Sequence, residues 1–496
     1  MNTFFAKRTV TPTTSRPITR TGINMLLSFT VMGILVAIPP IAPLSDVGMD
    51  VLGVFLGTVL LLSLADTTWP AILSMALFSA TGIMSLDEII AVSVGNWITV
   101  FVIMGFVLTY ALNNSGFTGR LTAFFMSRKL ARRSPWSFTV MLISLPFLVA
   151  SFMEPSATIV FFLGLSQKVF EELGYQKTDR YPHMVTMAVV FAAGIASSMT
   201  PISHPLIVLG LNFYRQTTGV SINLITYMLY AVPVGILVFV AMLVILRLFC
   251  KADMSRISDF EVEKVLDKVG PMDRREKITI AVFFGTVIMW FLPAVLSMAA
   301  PNWMLSAILN RYPVTFWAII AVVLLAVIKV DDAPVLDLKR AFTEGVNWNV
   351  IFLVAACVLM GSAVTNEAVG LNQFVLTMIG PITRTLSPAM LLLFLVALTS
   401  LLTNFTSNMT AMVLMLSVGL SLVVETGGLS PFVVALSIIV TSDFAFIIPS
   451  SSNLIGMLYG NEYSSGNVIF KYGCVLAMVS VFIVVLFGYW LGQVIR

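Results

Sequence analysis

Three ionisable side chains interrupt long apolar stretches of this chain: Glu154, His204 and Asp443. Glu154 stands in Met153-Glu154-Pro155-Ser156-Ala157-Thr158, and His204 in Thr200-Pro201-Ile202-Ser203-His204-Pro205. Asp443 runs ahead of Pro449-Ser450-Ser451-Ser452-Asn453. A fourth polar run, Thr403-Asn404-Phe405-Thr406-Ser407-Asn408-Met409-Thr410, carries no charge. Proline removes a backbone donor and a helical hydrogen bond. The proline-broken runs therefore offer free backbone groups, helix N-termini that favour negative charge, and oxygens that suit a cation. That is ion-binding chemistry. His204 has the chemistry of a proton relay or a substrate hydrogen bond, and equally of a structural cap.

Each run also has a plainer account. A proline kink patched by Ser and Thr is frequent in membrane helices, and a single run would be read that way. Ser407-Asn408 inside an apolar helix can simply bond a neighbouring helix, for about 1 kcal/mol. A buried carboxylate can be protonated or paired with Arg. Four runs in repeat-related positions argue instead for one site.

The elements that must position these runs follow from composition. Of 496 residues, 58% are hydrophobic and 10% charged, and the mean hydropathy is +0.98. A soluble chain carries about a quarter charged residues, so lipid must solvate much of this surface. The net charge of +4 is small and spread over loops, which argues against nucleic acid. Cys250, Cys357 and Cys474 have no disulfide or metal spacing. HExxH, GxSxG and Walker patterns are absent, so no soluble-enzyme chemistry is legible.

A membrane span needs roughly 20 apolar residues. Segments 24–43, 51–68, 70–85, 96–114, 183–212, 224–249, 277–299, 314–330, 347–365, 431–459 and 466–494 qualify. The expected fold is all-α, with about eleven transmembrane helices. Residues 1–23 read as a basic cytoplasmic tail before an uncleaved first span. Basic clusters at Arg128-Lys129, Arg132-Arg133, Lys177, Arg180, the linker 251–276 and Lys329 to Arg340 are placed in the cytoplasm. That puts the C-terminus outside.

Two further apolar stretches, 135–170 and 388–424, have polar middles and start at Ser134-Pro135 and Ser387-Pro388. Basic clusters flank the first on both sides, so it is either two spans or a re-entrant hairpin, and its polar centre at Met153 to Thr158 favours the hairpin. The second is its mirror case. Non-helical backbone at membrane depth survives only where protein or a watery cavity satisfies it, so both tips should line a site. The halves 24–250 and 277–496 carry the same features in the same order. Asn96-Trp97 matches Asn347-Trp348, Gly119 matches Gly370, the Ser-Pro starts match, and so do the proline breaks. An odd number of spans separates them, so the repeat is inverted, a common plan of secondary transporters.

On these features, over about residues 50–490, the chain resembles the divalent anion–sodium symporter family, the di- and tricarboxylate carriers of the ion-transporter superfamily. Ser407-Asn408 with Thr410 is similar to the family's second hairpin signature. Thr200-Pro201-Ile202 and Pro449 through Asn453 are similar to its two helix breaks. The resemblance implies a scaffold domain for homodimerisation and a transport domain that moves like an elevator. It implies two Na+ sites flanking a carboxylate substrate, and no cofactor. Carried over by position, Ser156, Thr200, Pro201, Ser203, Asn408, Thr410, Pro449, Ser450 and Ser451 would surround the substrate. Glu154, Thr406, Ser407 and Asn408 would serve Na+, and Glu154, His204 and Asp443 are the groups for proton coupling.

The chain departs from the family pattern where Glu154-Pro155-Ser156 replaces Ser-Asn-Thr, and where Met409 replaces Thr. The expected function is therefore cation-coupled uptake of a small organic anion across a bacterial inner membrane. An anion exchanger and a sodium/proton or arsenite-type antiporter are the alternatives. A membrane-embedded enzyme lacks any local nucleophile–base motif, and a channel lacks a continuous lined pore.

Overall fold

The computed structural model describes residues 20–129, 133–259, 270–300, 302–383, 386–426, 428–449 and 451–495. Most of the basic tail, Arg132, the linker centre at 260–269 and Ser450 lie outside the described residues. The first half holds α1 (Arg20–Ala37), α2 (Asp46–Leu64), α3 (Trp69–Ala80), α4 (Leu86–Val92), α5 (Trp97–Asn114), α6 (Phe117–Met126), α7 (Pro135–Ala150), α8 (Pro155–Glu172), α9 (Arg180–Ser197), α10 (Pro205–Thr218) and α11 (Leu224–Phe249). The second holds α12 (Arg274–Ala299), α13 (Met304–Leu309), α14 (Val314–Val327), α15 (Leu338–Arg340), α16 (Trp348–Val364), α17 (Leu371–Thr383), α18 (Pro388–Phe405), α19 (Asn408–Thr426), α20 (Pro431–Ser442), α21 (Asn453–Tyr459), α22 (Gly466–Ile483) and α23 (Tyr489–Ile495). Strands β1 (Lys329–Val330) and β2 (Ala333–Pro334) form one short antiparallel pair.

The order of elements repeats because the same local signals recur. Asn96 caps α5 by accepting the Ile98 N–H, and Asn347 caps α16 by accepting the Val350 N–H. Ser134 and Ser387 cap α7 and α18, each with proline in the first turn. Proline is pre-organised there, and its missing N–H would have no helical partner anyway. One expected match shifts. Gly119 sits inside α6, and the residue that corresponds to Gly370 is Gly116. Both take positive φ, +88° and +75°, directly before a short helix. Only glycine enters that region without steric cost.

Among the described residues, six helices are long and apolar enough to cross a membrane. A seventh is reached if Leu338–Gly345 and Trp348–Val364, bent by 73° at their break, count as one span. Several expected spans are shorter or divided. The run 70–85 gives a helix of 12 residues. The runs 183–212 and 431–459 each give two helices with an unwound break between them.

Helices α9 and α20, which lead into those breaks, are buried along nearly their whole length. This is why their sequences are apolar on every face. Their neighbours α7, α8, α18 and α19 are the arms of the two hairpins, and all four pack on them. Gly473 lets α22 lie against the second break. A Cβ there would overlap the Phe446 carbonyl oxygen, which is backbone and has no rotamer to move. Gly473→Ala is expected to lower the melting temperature in detergent by several degrees and to impair transport. Unchanged melting would show that this break shifts freely.

Candidate binding site between two hairpin tips

Both hairpin tips and both breaks meet around one cavity of about 300 Å³. Glu154 and Ser156 reach it from the first tip, Ser407 and Asn408 from the second. His204 comes from the first break, and Asp443, Pro449 and Ser451 from the second. The volume is at the small end of ligand pockets.

Backbone at the tips and breaks is satisfied by side chains, in a different way in each half. In the first, the break holds the tip. The Thr200 hydroxyl donates to the Ser151 carbonyl, and the Ser203 hydroxyl to the Ala150 carbonyl. In the second, the hairpin holds the break. The Thr403 hydroxyl donates to the Ser442 carbonyl. Asn404 Nδ2 donates to the carbonyls of Ser400 at 2.8 Å and Phe444 at 3.1 Å. Its Oδ1 accepts the N–H groups of Phe446 at 2.7 Å and Ile447 at 3.2 Å. Asn404 is fully buried, and three of its four hydrogen bonds, those to Phe444, Phe446 and Ile447, hold the unwound segment.

The expected site residues therefore divide. Thr200 and Thr410 do not line the cavity; the Thr200 hydroxyl serves the tip backbone and Thr410 is buried to 1% exposure. Pro201 and Ser203 line a separate hollow of about 30 Å³, which Glu154 also borders. Thr406 donates its hydroxyl to the Leu402 carbonyl at 2.9 Å and stands off the cavity. Ser450 lies outside the described residues. Sequence reasoning missed Asn404, Asn347, Asn349 and Ser197. The last three line the cavity. Asn347 had been visible only as a repeat marker.

Glu154 is the N-cap of α8. Its Oε2 accepts the Ala157 N–H at 3.0 Å, and its Oε1 accepts the Ser156 hydroxyl at 2.7 Å. Pro155 has no N–H to offer. The positive end of α8 is thus already met by a carboxylate of the chain itself. At α19, by contrast, no acidic residue stands in the first turn. The Thr403 hydroxyl, whose one proton also serves the Ser442 carbonyl, lies 3.0 Å from Oδ1 of Asn408. The Asn408 amide nitrogen is left to donate into the cavity.

Asp443 and His204 touch across the two halves. Nδ1 of His204 lies 2.9 Å from Oδ1 of Asp443, whose side chain is 1% exposed. Neither carboxylate oxygen has a hydrogen bond that meets full geometry among the described residues. The contact is an ion pair when His204 is protonated. Among the described residues no Lys or Arg lines the cavity, so its fixed charge is acidic. Such a site attracts cations and receives an anion only at N–H and amide donors.

The model of the family described as the sodium:sulfate symporter transmembrane region matches residues 20–496. Among solved structures, the fold is similar to that of the Alcanivorax borkumensis YdaH transporter, whose crystal structure is described as revealing an unusual topology. The TM-score is 0.55 over 95% of this chain and 98% of that one, at 14% sequence identity. No curated protein sequence matches the chain.

Proposed function

The chain belongs to the sodium:sulfate symporter family, and on that premise we propose that it carries a small organic carboxylate across the membrane by cation-coupled symport. It is a multi-pass membrane transporter and not an enzyme. The observation that carries the reading is the single cavity built from both tips and both breaks. Na+ is the coupling ion, held by oxygens at the tips, with Ser407 and Asn408 on the cavity wall and Thr406 behind them. Na+ binds first, at the second tip beside Ser407 and Asn408. The carboxylate then docks at Asn408 and the N-terminus of α19.

The hairpins with α9, α10, α20 and α21 form the moving body of an elevator within a homodimer. The bend of 73° between Leu338–Gly345 and Trp348–Val364 supports a hinge near the 331–346 connector, with its counterpart at 117–134. The two halves are an inverted repeat spanning the cell membrane about eleven times, with the N-terminus in the cytoplasm. The di- and tricarboxylates implied by the resemblance set the first panel to test. Purified protein in proteoliposomes is expected to accumulate at least one of labelled succinate, citrate or tartrate, or a smaller carboxylate, under an inward sodium gradient. Uptake indifferent to every gradient, and seen only against a preloaded anion, would make this an exchanger.

The His204–Asp443 contact favours a second reading, in which a proton is the coupling ion. Uptake driven by a pH gradient without sodium, and lost in Asp443→Asn, would select it.

A further inference from the structure

The two tips of the cavity are chemically unlike. The first presents a carboxylate of the chain where a substrate carboxylate would be received. Glu154 takes the Ala157 N–H and the Ser156 hydroxyl, and Pro155 removes a third donor. A second fixed carboxylate, Asp443, lines the same cavity at 1% side-chain exposure, with no hydrogen bond of full geometry on either oxygen among the described residues. A buried carboxylate oxygen without a donor leaves an unmet demand for one. Among the described residues the remaining ionisable group in the cavity is His204, and no lysine or arginine joins it. The second tip has the opposite character, with the Asn408 amide and the start of α19, whose first turn holds no acidic residue.

We propose that the transported solute carries one anionic group and, at its other end, a cationic or hydroxyl hydrogen-bond donor. The anionic group sits at Asn408 and the start of α19. The donor end faces the acidic wall of Glu154 and Asp443. The inference rests on the carboxylate-carrier reading above and narrows its substrate class. A solute with two carboxylates would place the second against Glu154. Two like charges about 4 Å apart in such a site cost on the order of 100-fold in affinity after screening by cavity water. An ammonium or hydroxyl at the same place instead donates a charge-assisted hydrogen bond to the Glu154 carboxylate.

A four-carbon series isolates this one group. Succinate, 4-aminobutanoate, 4-hydroxybutanoate and butanoate share a carboxylate and differ only at the far end. Uptake of labelled succinate and labelled 4-aminobutanoate is measured in proteoliposomes, with the other two as competitors. The wild type is expected to favour 4-aminobutanoate over succinate by about 100-fold. Unlabelled 4-hydroxybutanoate should compete, and butanoate should compete weakly. Glu154→Gln keeps an oxygen to cap α8 but removes the charge, and should narrow that preference at least tenfold. Succinate moved as well as 4-aminobutanoate by the wild type overturns the inference while leaving a carboxylate carrier in place. So does a preference unchanged in a folded Glu154→Gln protein. Failure of all four solutes together with citrate and tartrate, under every gradient, overturns the carboxylate reading as well. The wild-type ratio decides even where the variant does not fold.

Discussion

Asn404→Ala leaves the N–H groups of Phe446 and Ile447 buried without an acceptor, and the protein is expected to lose both stability and transport. Each unpaired buried donor costs about 1–3 kcal/mol, so the pair costs about 2–6 kcal/mol. The carbonyls of Ser400 and Phe444 lose their side-chain donor as well. The second break then keeps the Thr403 hydroxyl on the Ser442 carbonyl and the Tyr459 hydroxyl on the Ile447 carbonyl, and Asp443, Pro449 and Ser451 shift on the cavity wall. Asn404→Asp is the informative companion. It keeps an oxygen for the two N–H groups but sets a second carboxyl oxygen against the Ser400 and Phe444 carbonyls. It should therefore fall between wild type and Asn404→Ala only while protonated, when its hydroxyl still donates to one of them. Thermal unfolding in detergent, followed by size-exclusion, reads the series. Wild-type melting and uptake in Asn404→Ala would mean that the break holds itself.

That residue also shows where the sequence stops informing. Asn404 and Asn408 lie in one polar run, four residues apart, and look alike on paper. One falls on the last turn of α18 and faces the second break. The other opens α19 and faces the cavity. The difference lies in the turn at Thr406-Ser407, whose backbone no periodicity reveals. Thr200 and Ser203 were legible as hydroxyls in a break, but not as donors to tip carbonyls. That needs the distance between two segments some fifty residues apart.

The elements themselves were more legible than the contacts. Serine followed by proline marks the start of α7 and α18 because both residues have a defined task at a helix N-terminus. The breaks after α9 and α20 were legible because proline cannot continue a helix. Gly119 was chosen over Gly116 because composition shows a glycine but not its φ. Glu154 was visible as a charge in an apolar run. Its engagement with the Ala157 N–H depends on the rotamer it takes beside Pro155. The pairing of His204 with Asp443 joins the two halves, and nothing local to either residue announces it.

The proposed solute site lies between the two tips, and a change at Asn408 probes it at its donor. The Asn408 amide nitrogen is free to donate into the cavity, and its carbonyl oxygen shares the Thr403 hydroxyl with the Ser442 carbonyl. Thr403 keeps the Ser442 carbonyl as a partner when Asn408 is truncated, so the fold should be nearly unaffected. A hydrogen bond to a charged carboxylate contributes about 1.5–3 kcal/mol, which is roughly 10- to 150-fold in affinity. Loss of a Na+ ligand at the same position deepens the effect. The decisive measurement is sodium-driven uptake by purified Asn408→Ala beside wild type, with the melting temperature of each recorded. A fall of about 100-fold or more at unchanged melting is the predicted result. Wild-type uptake by a folded Asn408→Ala protein would contradict the placement of the site.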